Sequence, residues 1–241
     1  MSSRGTPGLT TRLLVAGVAV LLVAVPFSLL LVAVTDGWGP LHRLDLRVAA
    51  DLNVYAHAHA GVVTVLKLVS IVFHPTAFRL VSLAVTVLLL VRRRVRLALW
   101  LVVTVEGSGL LSSLVKSLVD RPRPVLPHPV AHAQGLSFPS GHALGVVVGV
   151  GALLLVGAPL LDRRGRVVTA TLGLVVVLAV GYSRIGLGVH YVSDVLGGYV
   201  LGLAWLAATT AAFRAWQSDH QPAARRHGLD EGLEPDLKEA L

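Results

Sequence analysis

The sequence predicts an all-α membrane protein: a bundle of six transmembrane helices, with an amphipathic, interfacial helical segment between the first and second spans. Three observations predict it. Apolar residues make up 54% of the 241 residues and charged residues only 14%, against roughly a quarter charged in a soluble domain. The mean hydropathy is +0.75. Long runs of Leu, Val and Ala follow one another, separated by short basic or Pro-rich segments, as spans are by their connections. Because those gaps are short, a single bundle is expected.

Residues 1–12 are polar and basic, and form a cytoplasmic N-terminus in this reading. Residues 13–34 are almost purely Leu, Val and Ala, long enough to cross about 30 Å of hydrocarbon at about 1.5 Å per residue. A secretory signal also begins with a basic stretch and an apolar run. This run, however, exceeds the roughly 7–15 residues of a signal core and lacks a small-x-small cleavage site, which favours a retained anchor. Pro26 is tolerated within a bilayer helix. In residues 35–59, Trp38 and Tyr55 suit an interface, and Leu44, Val48, Leu52 and Tyr55 recur at helical spacing, predicting a helix on the membrane surface. Residues 61–73 are apolar but short, contain Lys67 and end at His74–Pro75, which predicts a surface or partly inserted helix. The second to sixth spans fall at residues 76–91, 97–118, 143–161, 167–182 and 191–213, with a Pro-rich loop over 120–139. Residues 214–241 read as a polar, disordered cytoplasmic tail.

The formal net charge is +8. Its basic residues gather in knots at the ends of apolar runs, Arg92, Arg93, Arg94 and Arg96 in one and Arg163, Arg164 and Arg166 in another. That distribution expresses membrane topology, and no nucleic-acid partner is expected. With the amino terminus inside, six spans place both knots and the tail, with Arg214, Arg225 and Arg226, on the cytoplasmic side. Residues 35–75, 116–142 and 183–190 are then outside. The chain has no cysteine, which excludes disulfides, thiol catalysis and cysteine-ligated metals.

Three clusters on the outer side carry chemistry: Lys116 with Arg123–Pro124; Pro139–Ser140–Gly141–His142; and Ser183–Arg184 followed by His190 and Asp194. Lys116, Arg123 and Arg184 are cations at the outer ends of spans, where a dianionic phosphate would neutralise them and the arginines offer two-pronged donors. Ser140–Gly141–His142 falls where a loop becomes a helix, so free backbone N–H groups face an anion and Gly141 lets the backbone come close. His190 and Asp194 are spaced i, i+4, on one helical face. A carboxylate bonded to one ring nitrogen fixes the tautomer and leaves the other free to attack. His142 remains as proton donor to the leaving oxygen. Phosphoryl transfer needs mainly positioning and charge stabilisation, and this set supplies both without a metal or other cofactor.

These clusters resemble the three-part motif of the type 2 phosphatidic acid phosphatase (lipid phosphate phosphatase) family, K-x6-RP, PSGH and SR-x5-H-x3-D, with every fixed position present at the family's spacing. The resemblance covers roughly residues 61–213. It implies a helical membrane core with His190 as nucleophile, Asp194 as its orienting partner and His142 as general acid. It also implies that Lys116, Arg123, Arg184, Ser140 and the Gly141 amide hold the phosphoryl oxygens. Arg121–Pro122 and Arg123–Pro124 are tandem, and the six-residue spacing selects Arg123. Arg121 is then either a cation behind the site or a contact to a diphosphate, and Ser183 is expected to support the site from behind.

Other polar residues are weaker candidates. His128 and His132 are four apart but lie in a Pro-rich loop without a carboxylate or cysteine, so no metal is expected there. His57 and His59 alternate on a surface segment and are read as solvated. Glu106, within the third span, is either functional or paired with a neighbouring helix. Gly141, Gly145 and Gly149, and Gly198 with Gly202, recur every fourth residue. Small residues at this spacing favour close helix packing over a dimer contact, and here would bring the fourth and sixth spans, hence His142 and His190, together.

The expected activity is hydrolysis of a membrane lipid phosphate or diphosphate through a phosphohistidine. Undecaprenyl diphosphate, phosphatidylglycerol phosphate and phosphatidic acid are the substrates that the resemblance implies, in a bacterial cytoplasmic membrane with the site facing the extracytoplasmic side. There are two rivals: a lipid-dependent phosphotransferase using the same residues, separable by product analysis, and a non-catalytic membrane protein that binds anionic headgroups.

Overall fold

The computed structural model describes residues 24–219, which contain helices and connecting loops and no β-strand. The expected cytoplasmic N-terminus, the start of the first span and the tail beyond residue 219 lie outside the described residues. The helices are α1 (Ala24–Thr35), α2 (Gly39–Ala58), α3 (Ala60–Val72), α4 (Pro75–Val91), α5 (Val95–Val119), α6 (Gly141–Gly157, extended by a 3-10 turn over Ala158–Leu160), α7 (Arg163–Gly186) and α8 (Val192–Asp219).

Local chemistry sets several boundaries. Pro75 opens α4, and the His74 ring caps it by accepting the Thr76 N–H at 3.1 Å. Ser140 caps α6 and Asp162 caps α7, their side chains accepting the N–H groups of Ala143 and Gly165. The α5 helix ends at Asp120 in the left-handed region, φ 50°. At the other end of the chain, α8 continues through residues 214–219, where the tail was expected to begin.

The protein is an integral membrane protein. Among the described residues, five helical segments are long and apolar enough to cross a bilayer: Ala60–Val91, Val95–Val119, Gly141–Leu160, Arg163–Gly186 and Val192–Gln217. Ala24–Thr35 and Gly39–Ala58, bent by 81°, make a sixth if taken as one span. The short helix expected over residues 61–73 thus runs on into α4 as a single apolar segment.

The sense of the amphipathic segment is the reverse of a soluble helix. In α2 the buried positions are Asp45, Ala49, Asn53 and Ala56, while Leu44 and Tyr55 of the apolar stripe are exposed. Lipid is the apolar solvent here, so small and polar residues turn inward.

The α6 helix is central, packed against α4, α5, α7 and α8. The fourth and sixth spans, α6 and α8, pack closely as expected, but of the two glycine stripes only that of α8 lies in the contact. Gly145 and Gly149 of α6 face α4, where a Cβ would lie 3.0 Å from Pro75 and 2.6 Å from Phe78. Gly198 and Gly202 of α8 face the α6 backbone, and a Cβ at Gly198 would lie 2.6 Å from the Ser140 carbonyl oxygen. Two close seams therefore flank α6. The N-terminal ends of α4, α6 and α8 and the C-terminal ends of α5 and α7 meet at one end of the bundle. Both arginine knots lie at the other.

Candidate active site

At that first end lies a cavity of about 380 Å³, whose wall includes Lys116, Arg123, Gly141, His142, Arg184 and His190. The three sequence clusters, far apart in the chain, converge here because α5, α6, α7 and α8 end or begin at this level.

His190 sits in the turn between α7 and α8 and is only 2% exposed. Its Nδ1 lies 3.3 Å from Asp194 Oδ2, and its Nε2 lies 3.0 Å from an Arg123 terminal nitrogen. A guanidinium can only donate, so Nε2 is the accepting, lone-pair nitrogen and Nδ1 carries the proton toward Asp194. Burial holds the His190 pKa down at about 4, against the raising effect of Asp194. At neutral pH the ring is therefore neutral, and its contact with Asp194 is a hydrogen bond rather than an ion pair. A neutral ring with Nε2 on the side of a cationic cavity has a lone pair that can attack a bound anion.

Asp194 is fully buried and held from every side. Its Oδ2 accepts from Ser137 Oγ and from the Tyr191 N–H at 2.8 Å. Its Oδ1 receives Arg121 at 2.7 Å. Arg121 also donates at 2.8 Å to Asp45 Oδ2 and at 2.7 Å to Ser193 Oγ, and its guanidinium lies 4.3 Å from the Tyr191 ring centroid. Of the two readings open for Arg121, a diphosphate contact or a cation behind the site, the structure has it behind, between two carboxylates.

The remaining cations line the cavity. Lys116 donates to the Leu136 carbonyl at 2.6 Å. Arg123 is braced by the carbonyls of Gly135, at 2.9 Å, and Val189, at 2.7 Å. Arg184 donates to Ser70 Oγ, and its buried Nε has no protein partner. A buried donor left open on a cavity wall is what an anionic ligand would satisfy.

Ser140 and Ser183 lie differently. The Ser140 hydroxyl is turned to its helix-capping bond with Ala143 N–H, at 3.4 Å, and its own N–H donates to the Asp194 carbonyl at 2.9 Å. Ser183 Oγ donates within its helix to the Val180 carbonyl at 2.6 Å. Sequence reasoning missed Asp45, Ser137, Ser193 and His74. Asp45 lies beside the apolar stripe of α2, about 100° around the helix from Leu44, and nothing in the sequence tied it to the three clusters. His74 lines the cavity beside His142, the rings edge to face with centroids 4.6 Å apart. Glu106 pairs with Arg79, Nε to Oε2 3.5 Å. Among the described residues no group of three or more His, Cys, Asp or Glu could hold a metal ion.

The family model of the PAP2 superfamily matches residues 97–218. Over 97 residues the chain is 40% identical to phosphatidylglycerophosphatase B of Bacillus subtilis (strain 168), covering 39% of this chain and 47% of that protein. It is 35% identical over 122 residues to a lipid A 1-phosphatase of Rhizobium etli, covering 46% of this chain and 48% of that one. It is 31% identical over 137 residues to an undecaprenyl-diphosphatase of Sulfolobus acidocaldarius, covering 53% and 60%. The chain thus spans about half the length of the curated relatives it matches. The crystal structure of a transmembrane PAP2-type phosphatidylglycerolphosphate phosphatase from Bacillus subtilis aligns with a TM-score of 0.72 over 85% of this chain and 98% of that one. At 21% identity, that alignment establishes a common fold.

Proposed function

The chain belongs to the PAP2 superfamily, and on that premise we propose that it is a membrane lipid phosphate phosphatase working through a phosphohistidine on His190. The observation that carries the reading is the state of that ring: neutral, its Nδ1–H on Asp194 and its Nε2 on the cavity side beside Arg123. A phosphoryl group entering the cavity takes over the donors of Lys116, Arg123 and Arg184, with the Gly141 amide at the α6 N-terminus. Nε2 then attacks phosphorus in line while the bond from phosphorus to the lipid oxygen breaks. The Nδ1 proton stays hydrogen-bonded to Asp194, which stabilises the positive charge developing on the ring. His142 gives its proton to the departing oxygen. In the second half-reaction His142 takes a proton from water, whose oxygen attacks phosphorus, and the P–N bond breaks to return neutral His190 and release phosphate. Three side-chain cations supply the charge that phosphoryl transfer requires, so the reading needs no divalent ion.

Phosphatidylglycerol phosphate, undecaprenyl diphosphate and phosphatidic acid are the proposed substrates; relatives bear the names of enzymes for the first two. The proposed setting is a bacterial cytoplasmic membrane with the site on the extracytoplasmic side. Its support is the placement of both arginine knots at the far end of the bundle, which the positive-inside rule assigns to the cytoplasm. The test is phosphate release from these three lipids by detergent-solubilised protein in EDTA, beside His190→Ala. Release in EDTA, inhibited by vanadate and lost in the variant, is expected. Activity that a divalent ion alone restores would overturn the metal-free mechanism, and release surviving in His190→Ala would overturn the nucleophile.

A further inference from the structure

The cavity does not end at the residues assigned to the phosphoryl group. Its wall continues down α5 from Lys116 past Ser112 and Ser108, with Arg79 of α4 opposite. The Arg79 guanidinium crosses so close to α5 that a Cβ on Gly109 would lie 2.1 Å from one of its terminal nitrogens. Gly109 precedes Lys116 by seven residues, about 10 Å along a helix at about 1.5 Å per residue. That displacement runs toward the middle of the bundle, the direction in which the chains of a bound lipid must leave.

Arg79 is also weakly held. Among the described residues Glu106 is the acid that reaches it, at 3.5 Å, well beyond the roughly 2.7–2.9 Å of a charge-assisted hydrogen bond. The two side chains remain 44% and 54% exposed in the isolated chain. A loose, half-exposed ion pair between apolar helices is a costly arrangement for packing alone. It is well suited to an arginine that exchanges its resting counter-ion for an arriving anion and can present two donors to it.

We propose that Arg79, with Glu106 as its resting counter-ion, forms a second anion subsite for another phosphate on the lipid side of the phosphoryl group transferred. This rests on the phosphatase reading above and narrows it to lipids carrying two phosphates. The second phosphate is either joined directly to the first, as in a polyprenyl diphosphate, or separated by a short polyol, as in phosphatidylglycerol phosphate. Phosphatidic acid, with one phosphate, leaves Arg79 on Glu106.

The experiment compares kcat/KM for undecaprenyl diphosphate, phosphatidylglycerol phosphate and phosphatidic acid in wild type, Arg79→Gln, Arg79→Lys and Glu106→Gln. In Arg79→Gln the preference for a two-phosphate lipid over phosphatidic acid should fall about tenfold or more, the worth of one hydrogen-bonded charge contact. Arg79→Lys should keep part of it and Glu106→Gln should keep or raise it. The lipid whose preference falls more identifies whether the second phosphate is adjacent or spaced. An unchanged preference in Arg79→Gln, whatever happens to overall rate, overturns the subsite. So does an equal collapse in Glu106→Gln, which would make the pair structural. Wild type inactive on all three lipids, or an active His190→Ala, would instead overturn the phosphatase reading and the subsite with it.

Discussion

Asp45→Asn tests how the proposed nucleophile is held. Asp45 is on α2, remote from all three sequence clusters, and fully buried. It accepts from Arg121 at 2.8 Å, from the Ser193 N–H at 3.0 Å and from Ser193 Oγ. Arg121 is thereby shared: one terminal nitrogen on Asp45 and the other, at 2.7 Å, on Asp194. Sharing leaves Asp194 Oδ2 its negative charge for His190, and turns the carboxylate so that this oxygen faces the ring. Asparagine keeps an oxygen for one of these donors but places N–H groups against the others. Breaking a buried ion pair costs about 3–5 kcal/mol. Here Arg121 keeps Asp194 and is 13% exposed, so we predict a smaller loss of stability, about 2–3 kcal/mol. With Arg121 drawn wholly onto Asp194, we predict kcat down about 10- to 100-fold, as for a misplaced reacting group, with KM nearly unchanged because the phosphate contacts are untouched. The assay is phosphate release across substrate concentrations, with Arg121→Gln and the double variant completing a cycle. Coupling on kcat of about 1 kcal/mol or more is expected of residues acting through one chain of contacts. Strictly additive effects, or a rise in KM at constant kcat, would refute this role for Asp45.

Other outcomes follow from the same geometry. In the proposed mechanism His190 attacks only when neutral, and burial keeps its pKa at about 4; kcat/KM should therefore hold as pH falls below 6.5 and drop only as the pH approaches 4. A loss centred at 6.5 or above would show a ring not desolvated as described. Gly198→Ala, whose Cβ would meet the Ser140 carbonyl oxygen at 2.6 Å, should lower the thermal midpoint in detergent by an overpacking cost of about 1–3 kcal/mol. Gly157→Ala, with nothing within 4 Å, is its control, and equal effects would contradict the tight α6–α8 seam.

How much of this was legible in the sequence depended on whether the relevant contact was local. The fold class rested on composition and on runs of Leu and Val, which a bilayer makes nearly obligatory. The pairing of His190 with Asp194 followed from a four-residue spacing, and the shared level of the three clusters followed from counting spans. Asp45 was not legible, since the Ser193 it meets is remote in the chain and no periodicity links them. The role of Arg121 was equally hidden: RPRP reads alike whether the first arginine meets phosphate or carboxylate. The glycine stripes promised close packing, but spacing alone could not say that those of α6 face Pro75 and Phe78 while those of α8 face α6. In α2 the stripe drew attention to Leu44 and Tyr55, which are exposed, and away from the buried Asp45 beside it.

The seam at Gly198 divides the labour within this protein. Ser140 N–H donates to the Asp194 carbonyl, and Gly198 lets the start of α8 rest directly on the start of α6, so the proposed acid and nucleophile are bolted together through main chain. The wall that a lipid would follow, Phe78 and Arg79 on α4 with Ser108 and Ser112 on α5, belongs to other helices. Substitutions along the α4–α5 wall could then change which lipid is accepted while the bond-breaking apparatus keeps its shape. New specificities would arise on one side of the cavity, with the chemistry inherited intact on the other.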